Sequence, residues 1–186
     1  MTAPAPAVLI DACVLYPTVM REMLLGVAAQ GFFRPLWSAR ILEEWARAAA
    51  RLGAEEGEYA RAEIALLQAR WPGALVPPAP QIEVDLALPD ANDIHVLAVA
   101  IWGGAQELLT LNLKDFPTRT LAAHGLIRRD PDGFLREMLA SAPDEVGAVA
   151  SAVQAEAARL SGRPQPLRAL FKKARLPRFA KALDQL

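Results

Sequence analysis

The segment "LPDANDIHVLAVAIWGGA" restricts the fold more than any other part of this chain. Ile94, Val96, Leu97, Val99, Ala100 and Ile101 are apolar nearly all round a helical projection, so a helix here must be buried on every side. Pro89 and the acids Asp90 and Asp93 open it, and Gly103 with Gly104 ends it. "QELLTLNLKDFP" follows, a predicted strand over Glu107 to Leu111 that runs into a polar turn ending at Pro117. Together with "AVLI" as a first strand, the order strand, buried helix, strand implies a right-handed crossover. The expected class is α/β, a mostly parallel sheet flanked by helices.

Other helical segments fit between these landmarks. Thr18 to Gln30 puts Val19, Met23, Leu24 and Val27 on one face before Gly31. Ser38 is placed to cap a helix from Ala39 to Leu52 with Ile41, Leu42 and Trp45 facing inward. A further helix is expected from Ala54 to Trp71, followed by the break "WPGALVPPAP", and a short strand is expected near "GLIRR". From Asp130 onward the pattern is helical only, over Asp132 to Ala140, Asp144 to Leu160, "PLRALFKKA" and "PRFAKALD". The sequence therefore divides into an α/β domain over residues 1–129 and a C-terminal α-helical extension over 130–186.

A hydrophobic content of 53% over 186 residues suits a globular chain with a sizeable core. One cysteine, Cys13, excludes a disulfide framework or a thiolate zinc site. "MTAPAPA" lacks the basic-then-apolar pattern of a secretion signal, so a cytoplasmic location is expected. No uncharged apolar run approaches the ~20 residues of a membrane span, and no membrane insertion is expected. The net charge of -1 is unevenly spread. From Gly162 onward seven basic residues face the single acid Asp184, leaving +6 there and -7 on the remainder. Such a tail suits a polyanion, and a solvated basic helix is the plainer reading.

Acids gather where an open parallel sheet places its functional groups, beyond the carboxyl ends of the strands. Asp11 ends the first strand, Thr110, Asn112 and Asp115 end a later one, and Asp90 and Asp93 start the buried helix. Glu43 or Glu44 adds a fourth contribution from the helix after Ser38. Carboxylates sharing a small space repel by several kcal/mol at ~4 Å, and no lysine or arginine in these motifs is obviously placed to neutralise them. A divalent cation is the economical counter-charge. An all-oxygen donor set selects Mg²⁺ or Mn²⁺, whose chemistry is phosphoryl transfer or phosphodiester hydrolysis. Against this, Asp90 and Asp93 also suit the first turn of a helix. Cys13, His95 and His124 read as packing or surface residues, since neither histidine has a neighbour at metal-ligand spacing.

Four motifs in order, "LIDACVLYP", "WSARILEEW", "LPDANDIHVLAVAI" and "TLNLKDFP", resemble the PIN-domain ribonucleases, specifically the VapC-type toxins of bacterial toxin–antitoxin pairs. The resemblance covers about residues 7 to 128 and implies a PIN-like, Rossmann-like sheet. It places the metal-holding catalytic acids at Asp11, Glu44 rather than Glu43, Asp93 and Asp115. Thr110 and Asn112 orient ligands or a phosphate, with Asp90 beside them. Asn112 stands where many members have aspartate, which weakens a second metal site. The resemblance further implies Mg²⁺ or Mn²⁺ as cofactor, an RNA substrate such as tRNA or ribosomal RNA, a homodimer, and a small cognate antitoxin. The basic extension suits either an RNA backbone or an acidic antitoxin.

Two other readings compete. A PIN-like module that binds RNA or a protein without cutting is opposed by the complete set of acids. A phosphohydrolase of the haloacid dehalogenase type is opposed by Cys13, which stands where that family needs a second aspartate.

Overall fold

The computed structural model describes residues 5–185. Part of the "MTAPAPA" reading falls on residues 1–4, outside the described residues. The chain forms two compact units, one of residues up to Tyr16 with Arg34–Arg128, the other of Pro17–Phe33 with Arg129–Leu186.

A four-stranded sheet has the order β2-β1-β3-β4, all of it except Arg129 in the first unit. Its strands are β1 (Ala7–Ile10), β2 (Arg34–Leu36), β3 (Glu107–Leu109) and β4 (Ile127–Arg129). β1 is central and pairs parallel with both neighbours, Val8 opposite Pro35 on one side and Glu107 on the other. All four β1 residues are fully buried, as expected of a parallel strand covered on both faces. The α/β class read from the sequence is the one observed.

β2 is a strand where the sequence reading had only a connector. Proline is tolerated there because β2 is an edge strand. β3 stops at Leu109 rather than Leu111, since the chain turns at Thr110, whose Oγ1 accepts the Asn112 N–H at 3.0 Å. Short helices α1 (Ala12–Leu15), α5 (Pro80–Glu83) and α7 (Thr118–Ala123) were also not anticipated; each spans about a turn, too little for a periodic signal.

α3 (Ala39–Ala50) begins at Ser38, whose Oγ accepts the Ile41 N–H at 3.2 Å, the expected cap. α4 (Ala54–Arg70) packs against it. The close approach depends on Gly57, where a Cβ would lie 2.9 Å from that of Ala50. The buried helix is α6 (Ile94–Trp102), entered through a 3₁₀ turn at Ala91–Asp93. Its residues from His95 to Ala100 are all buried. Gly104, at φ 63°, supplies the left-handed step that turns the chain toward β3.

The second unit comprises α2 (Thr18–Ala29), α8 (Pro131–Ser141), α9 (Pro143–Ser161), α10 (Leu167–Lys173) and α11 (Pro177–Leu183). The helical extension is observed, but α2, placed by the sequence reading in the N-terminal domain, clusters with it. The physical reason is Gly26, against which Val149 of α9 packs so closely that a Cβ would meet its Cγ1 at 2.4 Å. Phe33 adds an edge-to-face contact with Phe134, ring centroids 5.2 Å apart. Among the described residues no helix is long and apolar enough to cross a membrane.

Candidate metal centre

Asp11 lies at the end of β1, 7% exposed. Its backbone N–H continues the ladder to Leu109 O at 3.0 Å. Its side chain does not cap α1; instead Oδ2 accepts the Thr110 hydroxyl at 2.7 Å and the Cys13 thiol at 3.1 Å. Cys13 Sγ in turn accepts the Leu111 N–H at 3.3 Å. Burial, then the charge of Asp11, pushes the Cys13 thiol up to about 12, so it is a donor here and no nucleophile. Asp11 is thus held across the sheet by the residues that end β3.

Two more acids come from the entry to α6. Asp90 Oδ1 accepts the Asn92 N–H at 2.9 Å and its amide at 3.0 Å, capping the 3₁₀ turn. Asp93 makes no such cap; its Oδ2 accepts the Asn112 amide at 3.1 Å. Asp115 sits on the turn after β3, anchored by fully buried Phe116. One carboxylate oxygen from each of Asp90, Asp93 and Asp115 lies within 4.8 Å of the others.

The cost of this grouping falls on Asp93. Burial, followed by the charges of Asp11, Asp90, Asp115 and Glu44, raises its carboxyl to about 6. An all-carboxylate cluster that resists its own ionisation fits a hard divalent cation, which supplies the missing positive charge. Asp90, expected beside the ligands, is a member of the close triad, whereas Asp11 and Glu44 act on Asp93 electrostatically without belonging to it.

Glu43 and Glu44 have separate roles. Glu43 is engaged by Arg61 of α4 and Arg47, both at 2.9 Å, which hold its carboxyl at about 2. Glu44 instead meets His95 Nε2 at 2.7 Å, with Arg40 Nε at 3.5 Å. His95 is the residue that sequence reasoning missed. It is 3% exposed, and its contact with Glu44 is close but not an aligned hydrogen bond. The available signal was its place two residues after Asp93 on an otherwise apolar helix.

Asp11, Glu44, Asp90, Asp93, Thr110 and Asn112 all lie in the region matched by the family described as PIN domain, residues 7–114, and Asp115 is one residue beyond it. No curated protein and no solved structure matches the chain. PIN domains are in general nucleases with acidic metal-binding residues. With more than half its length matched and the acids gathered as described, the chain belongs to the PIN domain family.

Proposed function

We propose that this protein is a metal-dependent endoribonuclease that hydrolyses RNA phosphodiester bonds and serves as the toxin of a type II toxin–antitoxin pair. The observation that carries the nuclease reading is the gathering of Asp90, Asp93 and Asp115, with one oxygen of each within 4.8 Å of the others, where burial and then the charges of Asp11, Asp90, Asp115 and Glu44 raise Asp93 to about 6. Asp90, Asp93 and Asp115 are the residues that would hold Mg²⁺ or Mn²⁺, with Asp11 and Glu44 adding negative charge that Asp93 feels. Such an ion, when bound, polarises a phosphate and eases deprotonation of water.

The chain's own residues supply orientation. Thr110 and Cys13 hold Asp11 through one oxygen, and Asn112, on the same turn after β3, holds Asp93. Fixed carboxylates of this kind need no reorganisation when a substrate arrives. The resemblance to VapC-type toxins supports the toxin role, the homodimer, the small antitoxin and a tRNA or ribosomal RNA substrate.

The test is incubation of purified protein with total RNA, with Mn²⁺, Mg²⁺ or EDTA, beside Asp11→Asn and Asp93→Asn. Cleavage by the parent protein with metal, abolished by EDTA and in both variants, is expected. Cleavage that persists in EDTA overturns the mechanism. Absence of cleavage with any metal points to a non-cleaving binding module. For the toxin role, induced expression should arrest growth, and co-expression of an antitoxin should relieve it.

A further inference from the structure

The second unit carries cations that its own fold does not use. Within this unit Arg159 is neutralised by Glu156, Arg168 by Asp184, and Arg178 by Asp130 and Asp132. Arg163, Lys172, Lys173, Arg175 and Lys181 are exposed and form no ion pair with the described residues. The only acid after Gly162, Asp184, is already taken by Arg168.

Arg175 gives the second observation. It follows α10 in the left-handed conformation, φ 63°, the one non-glycine residue among those described to do so. The Leu176 N–H bonds Phe171 O at 2.9 Å and the Arg175 N–H bonds Lys172 O at 3.2 Å, closing the helix end. Glycine is the residue this turn favours, and the chain places glycine at its other left-handed positions, Gly31, Gly104, Gly125 and Gly162. Arginine here carries a backbone strain that glycine would avoid, and its exposed guanidinium is unpaired among the described residues.

We propose that the α10–α11 turn, with Lys172, Lys173 and Arg175 at its centre, docks the phosphate backbone of RNA. The choice of a nucleic acid over an acidic protein rests on what surrounds these cations. From Gly162 to Gln185 no large apolar side chain is exposed among the described residues, so the surface lacks the buried anchors that protein interfaces use. Charge without apolar anchors matches sequence-independent phosphate contact. This inference rests on the ribonuclease reading for its ligand and assigns the substrate a second contact, distant in sequence from the acids.

The test measures binding of a labelled single-stranded oligouridylate by fluorescence anisotropy in EDTA, between 50 and 200 mM salt, with the full chain. Arg175→Gly should melt at or above the parent temperature yet bind RNA several-fold more weakly, a combination that a structural role cannot produce. The triple variant with Lys172→Gln and Lys173→Gln should lose about tenfold or more at low salt. Its slope of log affinity against log salt should fall by about 2, from roughly 0.7 per phosphate contact on a single strand. Unchanged affinity and slope overturn the proposal, as does weakened binding of polyglutamate with RNA binding intact. Because binding is read without metal, the two readings fail separately. An active ribonuclease whose RNA affinity ignores these substitutions overturns the docking surface alone; a protein inert with every metal, whose RNA affinity falls with them, overturns the nuclease reading alone.

Discussion

His95 Nε2 lies 2.7 Å from Glu44 Oε1, joining the helix that starts at the acidic triad to the helix that carries the fourth acid. Glu44 is about one-third exposed, and its other ion pair among the described residues is with Arg40, at 3.5 Å. Removing the imidazole should free Glu44 to swing toward Arg40 and solvent. Because Glu44 adds charge beside the triad and is no member of it, its displacement in His95→Gln should lower Mn²⁺ affinity by about fivefold to tenfold, the scale of one partly screened charge. Titration calorimetry with Mn²⁺ checks it, and Arg40→Gln should leave the affinity within about threefold because that pair is exposed.

Asp93 makes the metal-free protein pH-sensitive. Its carboxyl is raised from 3.8 to about 6 in the folded chain, so the folded state prefers the protonated form. The stability this contributes is complete below about pH 4 and is lost as pH rises through 6. In EDTA, Asp93→Asn should therefore melt above the parent protein at pH 7.5, and the difference should close at pH 4. Mn²⁺ should raise the melting temperature of the parent protein at pH 7.5 and leave that of the variant nearly unchanged.

How much of this was legible beforehand depended on the range over which each signal acts. The burial of α6 could be read because apolar residues occupy every face from Val96 to Ile101, whatever covers them. The partner of α2 could not: its apolar stripe states that one face is buried, while the contact of Gly26 with Val149 joins residues more than a hundred positions apart. β2 was hidden because three residues around Pro35 carry no period. At the site, the acids were visible as types and spacings. The division of labour between Glu43 and Glu44 depends on where Arg61 and His95 arrive from other helices. Asp90, a cap or a site acid by its sequence, caps the 3₁₀ turn and also has an oxygen within 4.8 Å of those of Asp93 and Asp115.

Thr110 and Cys13 both donate to Asp11 Oδ2, and they should not contribute equally. Thr110 is fully buried and its hydroxyl donates at 2.7 Å to a carboxylate. Thr110→Val keeps the shape and removes that donor, with an expected loss of about 1.5–3 kcal/mol. Cys13→Ala removes a weak S–H donor and should cost under about 1 kcal/mol beyond its packing. Urea denaturation of both variants in EDTA checks the order; a larger loss for Cys13→Ala would contradict the assigned hydrogen bonds.

In the second unit, Asp132 of α8 performs the capping that α11 cannot provide for itself. The residue before α11 is Leu176, which has no side-chain acceptor, and Pro177 follows it. Asp132 Oδ1 accepts the Phe179 N–H at 2.8 Å, and Oδ2 accepts the Arg178 N–H at 3.1 Å and its Nε–H at 2.9 Å. A carboxylate at a helix N-terminus also meets the positive end of the helix dipole. Asp132→Ala strips two otherwise orphaned N–H groups and a charge-assisted bond, so a loss of about 2–4 kcal/mol is expected. Arg178→Met leaves both backbone bonds in place and removes the half-exposed guanidinium with its ion pairs to Asp130 and Asp132, which should cost about 1 kcal/mol. Amide hydrogen exchange separates the two. Arg178 and Phe179 should lose protection in Asp132→Ala and keep it in Arg178→Met, and equal loss in both would assign the stability to the ion pair instead.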